Sequence, residues 1–201
     1  MEFQMKFRKT PLIYSREVLR WAPNQPQEVR NQLGRWQAKK HLLKLKKGAY
    51  LLRDEPYPDV NWLSNELYQP SYISLESALG FYGFLPERIT DLTAITTLKT
   101  KSFRNELGNF VYRHVKPEAF RGFQKTGDTK LAFFIAEPEK AVVDFLYFNL
   151  PRFGVKPDVV FRESYRFQNY ENLDKKKLTH WGRLFGSAKL MRVLGKIRWD
   201  G

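Results

Sequence analysis

Apolar residues first recur at helical spacing in LIYSREVLRW, where Leu12, Val18, Leu19 and Trp21 mark an inward side, Ser15 is placed to cap and Pro23 stops the run. NQPQEVRNQLGRWQAKKHL predicts a second helix, with Asn24 or Gln25 at its cap and Pro26 where a missing N–H does no harm. Val29, Leu33 and Trp36 fall at i, i+4 and i+7, which makes one buried face. LLKLKKGAYLL then changes to strand spacing: Leu43 and Leu45, then Tyr50 and Leu52, flank Lys46-Lys47-Gly48, and Gly48 supplies a turn. Two helices, a short connection and a hairpin predict a winged helix-turn-helix over residues 1–60.

RDEPYPDVNW breaks the periodicity and reads as a linker or domain entry. PSYISLESALGFYGFLPE begins extended and continues as a short helix capped by Ser74, with Leu75, Ala78, Leu79 and Tyr82 on one face. Gly83 ends that helix, Phe84 and Leu85 fold back on it, and Pro86 prevents continuation. DLTAITTLKT and GNFVYRHVKP show period-two alternation and predict strands. In TKLAFFIAEPEKAVVDFLYFN a buried strand, Leu131 to Ile135, precedes a helix opened by Pro138 and packed through Ala141, Val142, Phe145 and Leu146. Near the C-terminus two helical stripes follow, Leu178, Trp181, Leu184, Phe185, Ala188 and then Leu190, Val193, Leu194, Ile197, interrupted by Gly182, Gly186 and Gly195. The fold class expected is α+β, with the winged helix followed by a mixed α/β domain over 61–201 whose last part, 161–201, is basic and helical.

Composition sharpens this picture. With 42% hydrophobic and 15% aromatic residues the 201-residue chain can build a real core. Its net charge of +14 is uneven: residues 1–54 hold 13 Lys/Arg against 4 Asp/Glu, residues 55–160 hold 12 against 13, and residues 161–201 hold 10 against 4. Two cationic ends around a neutral middle point to a polyanion, nucleic acid before a membrane surface. No apolar run is long enough for a transmembrane helix. The first residues show no secretory pattern, so a cytoplasmic protein is expected. There is no cysteine, and His41, His114 and His180 are far apart in sequence, so neither a disulfide, a metal nor a cofactor is expected.

The face of the second predicted helix opposite its apolar stripe carries Gln27, Arg30, Asn31, Gly34, Arg35 and Ala38, side chains suited to base edges and phosphates with two small residues for close approach. Lys39, Lys40, Lys44, Lys46 and Lys47 continue the charge into the hairpin. The DNA-binding set is therefore Gln27, Arg30, Asn31, Arg35, Lys39, Lys40, Lys44, Lys46 and Lys47. A second surface, for nucleic acid or a toxin-related partner, is expected from Lys175, Lys176, Lys177, Arg183, Lys189 and Arg192. Packing of that apolar stripe on the middle domain, and a membrane-surface helix, are its alternatives.

Glu137, Glu139 and Asp144 offer a different chemistry, a metal-dependent nuclease. Against it, Glu137 and Glu139 fall in a helix's first turn, where carboxylates complement the dipole, and Lys140 with Asp144 reads as an ordinary surface pair. The chain is read as a non-enzyme.

Three segments, LKKGAYLL, PSYISLESALGFYGFLPE and FFIAEPEKAVVDFLY, in this order and spacing, resemble the AbiEi family of antitoxins and regulators from type IV toxin–antitoxin operons. The resemblance covers about residues 10–148. It implies a winged helix that binds inverted repeats in its own promoter and represses the operon. It also implies a C-terminal domain that counteracts a nucleotidyltransferase-like toxin of AbiEii type without a required stable complex. A stand-alone winged-helix regulator is the alternative.

Overall fold

A computed structural model describes residues 12–53, 57–87, 90–128, 130–154 and 156–199. Residues 54–56 of the proline-containing entry, Thr10-Pro11 and the side chain of Trp21 lie outside the described residues. The fold is mixed α and β, and no helix among the described residues is long and apolar enough to cross a membrane.

Strand β1 (Leu12–Tyr14) leads into helices α1 (Ser15–Trp21) and α2 (Pro26–Ala38), then the hairpin β2 (Leu42–Lys46) and β3 (Ala49–Leu52). The three strands form one antiparallel sheet in the order β1-β3-β2. Alternation along these strands buries both faces. Ile13 and Leu42 pack with Val18, Val29 and Leu33 under the helices, whereas Leu12, Leu43, Leu45, Ala49 and Leu51 join the core of the rest of the chain. Gly48 turns the hairpin at φ 78, and its carbonyl accepts from the Ser15 amide at 2.9 Å. Ser15 begins α1 rather than capping it, since Tyr14 takes the N-cap position without a side-chain bond.

Beyond residue 57 come α3 (Val60–Leu67), β4 (Ser71–Ile73), α4 (Leu75–Phe81), β5 (Asp91–Thr96), β6 (Lys101–Asn105), β7 (Gly108–His114), β8 (Phe123–Thr126), β9 (Phe133–Ala136), α5 (Pro138–Phe148), α6 (Lys175–Arg183) and α7 (Ala188–Lys196). The six strands make one mixed sheet, β6-β7-β5-β4-β9-β8. Strand β5 is central and covered on both faces. Thr93 Oγ1 donates to Ser74 O at 2.7 Å on the α4 side, while Ala94 pairs with Tyr112, whose hydroxyl donates to Ser64 O at 2.8 Å on the α3 side. The strand expected in DLTAITTLKT forms, and Thr93 to Thr96 are all buried because both of its faces are covered.

The helix end predicted at Gly83 forms as expected. Phe84 N donates to Leu79 O at 2.8 Å and Gly83 N to Gly80 O at 3.0 Å, with Gly83 at φ 70 and Phe84 buried beneath. The start of the same helix differs from expectation. Ser74 occupies the cap position, yet its hydroxyl donates to Asp144 Oδ2 at 2.7 Å. Lys140 and Asp144, expected as a surface pair, are wholly buried. They form an ion pair, and Asp144 Oδ2 also accepts from Tyr72 OH at 3.1 Å, while Lys140 Nζ donates to Tyr72 OH at 2.9 Å. Their burial follows from the crowding of α5, which is enclosed by α4, α6 and α7, so residues 139–146 have no solvent side.

Helices α6 and α7 meet at Gly182, where a Cβ would come within 2.6 Å of Leu194 Cδ1. Gly186, at φ 62, makes the turn between them, so the C-terminal stripe is two helices packed on the core. Asp158 fastens the chain end by accepting from Arg198 N at 2.8 Å and Arg198 Nε at 3.1 Å.

Candidate nucleic-acid interface

Helix α2 is built as its sequence implies: Pro26 opens it, Val29 and Leu33 are buried, and Trp36 is half-buried beside them. Gln25 holds the cap position without a side-chain bond. The opposite face is exposed, with Gln27, Arg30, Asn31, Gly34, Arg35 and Ala38 open to solvent. Gln27 Nε2 donates to Asn31 Oδ1 at 3.0 Å, one turn along the helix, which pre-aligns the two amides. A Cβ added at Gly34 would meet nothing within 4 Å, so that stretch of the face is open to a close approach.

The end of α2 carries an informative departure from the commonest helix stop. His41 N donates to Trp36 O at 2.9 Å and Lys40 N to Gln37 O at 3.0 Å, which is the bond pattern that normally places glycine in the left-handed position. Here Lys40 sits there, at φ 57. A side chain in that conformation costs about 1 kcal/mol against glycine. The position retains a cation, at a cost in stability, between the helix and the hairpin. Lys40→Gly is expected to raise the unfolding free energy by up to about 1 kcal/mol, measured by urea denaturation, and, if this face meets a nucleic acid, to weaken that binding. A gain in both would assign Lys40 no role in binding.

Lys39, Lys40, Lys44 and Lys47 are exposed as expected. Lys46 differs from them. The strand register shifts between Lys44 and Lys46, and the Lys46 ammonium turns inward, donates to Leu67 O and lies 5.3 Å from the centre of the Phe103 ring. Burial, and after it the charges of Arg16 and Lys101, lower its pKa. It fastens the small sheet to the larger one, half-buried at the edge of the groove that Arg16 and Lys47 also line. Tyr14, whose hydroxyl donates to Glu66 O at 2.5 Å, and Asn105, whose amide donates to Leu45 O at 3.2 Å, reinforce the same junction. Burial pushes the Tyr14 pKa up to about 12, so the hydroxyl keeps its proton.

Arg16 is the cation that sequence reasoning missed. It is exposed, lies 5.0 Å over the Tyr14 ring, and lines the same groove as Lys47 and Gly48. Its only sequence signal is a basic residue in the first turn of α1; the Ser15–Gly48 backbone bond is what brings that turn to the hairpin.

The C-terminal cations divide. Asp174 caps α6 by accepting from Lys176 N at 2.7 Å and Lys177 N at 3.3 Å. Lys175, Lys176 and Arg183 line one shallow depression with Thr179 and His180. Lys177 is instead paired with Glu137 at 3.2 Å, with Glu139 at 4.0 Å, and Glu137 chiefly raises its pKa. Lys189 and Arg192 are exposed on α7.

Of the three carboxylates of the nuclease alternative, Glu137 and Glu139 both face Lys177 and Asp144 is held apart with Lys140. Glu139 Oε1 also accepts from Asp174 N at 3.1 Å. Among the described residues no group of three or more His, Cys, Asp or Glu side chains is arranged to hold a metal ion. No family model matches the chain, and no curated protein matches it either.

Proposed function

We propose that this protein is a DNA-binding transcriptional repressor. In this reading α1 and α2 are the helix-turn-helix, β2 and β3 the wing, and α2 the helix that enters the major groove. The observation that supports it best is the uninterrupted exposed face of α2, Gln27, Arg30, Asn31 and Arg35, continued by Lys39, Lys40, Lys44 and Lys47. Leu42 of the hairpin packs with Val18, Val29 and Leu33 of the helix pair, which sets the hairpin beside the two helices as this assignment requires. Arg and Asn are suited to read guanine and adenine edges, and the lysines to hold the adjacent backbone.

The resemblance to AbiEi antitoxins extends the proposal: the repressor acts on inverted repeats in its own promoter and counteracts a nucleotidyltransferase-like toxin, without a stable complex. An adjacent reading frame for such a toxin separates this from a stand-alone regulator.

Electrophoretic mobility shift with the upstream intergenic fragment tests the DNA-binding proposal. Arg30→Ala, Asn31→Ala and Arg35→Ala are each expected to weaken operator binding, by about 1–3 kcal/mol where the side chain reads a base. They should leave rescue of toxin-expressing cells largely intact. Wild-type binding by all three would remove α2 as the reading helix.

A further inference from the structure

A second cavity lies away from the α2 face, between α3, β4, β8 and β9. Its volume is about 380 Å³, within the range of small-ligand sites. Phe120, Phe123 and Phe134 line it; Phe123 stands 5.2 Å from Phe120 and 5.7 Å from Phe134, centre to centre, at steep angles. Phe134 is 43% exposed, an unusual placing for phenylalanine on a strand that is otherwise buried.

Two polar side chains among those lining the cavity are nearly inaccessible, Asn65 and Ser71, each 6% exposed. Asn65 Oδ1 accepts from Phe134 N at 2.5 Å, which fixes the orientation of the amide. Its Nδ2 is left without a partner, as is Ser71 Oγ. An apolar occupant leaves both groups unpaired, whereas one with a polar edge can satisfy them. Glu66, at the rim, adds an acceptor held by Gln69 Nε2 at 3.1 Å. The site thus offers aromatic rings, an amide donor, a hydroxyl and a carboxylate, which match a planar heterocycle bearing both acceptors and donors.

The surroundings add a second requirement. Glu66 and Gln69 also line the neighbouring groove that contains Arg16 and Lys47. Cations there can meet an anionic group attached to the ring, whereas the Glu66 carboxylate disfavours an anion inside the aromatic cavity.

We propose that this cavity binds a single unstacked nucleobase, with its phosphate directed to Arg16 and Lys47. A base within a duplex stack cannot enter, so the ligand is a free nucleotide or an unpaired base in a single strand. The cavity lining shares no residue with the α2 face, and Lys47 is the one cation common to this site and the proposed duplex contacts.

The test titrates the full chain with the four nucleoside 5′-monophosphates by ligand-observed NMR, and with short single-stranded oligonucleotides by fluorescence anisotropy. Phe134→Ala alters a side chain that is already part-exposed and leaves the fold intact. It is expected to weaken binding about tenfold or more, the usual loss when a base loses an aromatic partner. Asn65→Asp keeps the acceptor for Phe134 N–H but removes the donor, and should change the order of preference among the bases. Circular dichroism and unchanged duplex binding confirm that each variant remains folded. Binding of a monophosphate as tight as that of the oligonucleotide identifies a free nucleotide as ligand; binding of the oligonucleotide alone identifies a strand. Absence of binding by every nucleotide and oligonucleotide at millimolar concentration overturns the proposal, as does equal binding by Phe134→Ala. Neither result bears on operator binding through α2.

Discussion

Asp144→Ala is expected to lose about 3–5 kcal/mol of unfolding free energy, a large part of the stability of an ordinary domain. The substitution leaves the Lys140 ammonium at zero exposure with its counter-ion gone. It also removes the acceptor of Tyr72 OH and Ser74 Oγ, two donors on fully buried residues. Burial pulls the pKa of Lys140 down and that of Asp144 up, each toward its neutral form, and their mutual attraction opposes both shifts. The pair therefore holds as a unit. Lys140→Met combined with Asp144→Leu is expected to recover most of the loss, because it removes both charges together. Urea denaturation reads the free energies, and thermal melting should fall by about 10 °C for the single variant. A loss below about 1 kcal/mol, the scale of an exposed pair, would contradict the enclosure of these two residues.

On the proposed DNA-binding reading, operator affinity is expected to fall steeply with salt. Arg30, Arg35, Lys39, Lys40, Lys44 and Lys47 are all exposed on or beside α2. If each displaces one counterion, the log–log slope is about −5, and affinity drops about a thousandfold between 50 and 200 mM salt. Arg35→Ala, Lys44→Ala and Lys47→Ala in one chain should reduce the slope to about −3. Lys46→Met is the informative control. Its ammonium is given to Leu67 O and faces the Phe103 ring, so the slope should stay near −5 while stability declines. Fluorescence anisotropy with the upstream fragment over a salt series measures both. A Lys46→Met slope shifted as far as that of Lys44→Met would return Lys46 to the DNA surface and remove it from the junction.

The contrast between Lys44 and Lys46 illustrates how far the chain can be read without its structure. Both lie in one basic hairpin, two residues apart, with the same side chain. Local pattern assigns them one role. A register shift and the carbonyl of Leu67, 21 residues away, separate them. Glu139 and Lys140 show the same limit. Their positions in the first turn of α5 suggest solvent, but α4, α6 and α7 close over the helix from every side. The cavity between α3 and β8 had no sequence signal, since Asn65, Ser71, Phe123 and Phe134 come from four elements and none forms a motif with another.

Sequence alone determined what depends on neighbours within a few residues. The Pro26 start of α2, its Val29, Leu33 and Trp36 face, the Gly48 turn and the Gly83 stop are set by backbone preference and side-chain period, and they stand as expected. The strongly cationic ends follow equally from composition. Tertiary structure decided which cations remain at the surface, which ion pair is enclosed, and which strands have no solvent face. Those outcomes depend on desolvation, and desolvation is fixed by elements that arrive from distant parts of the chain.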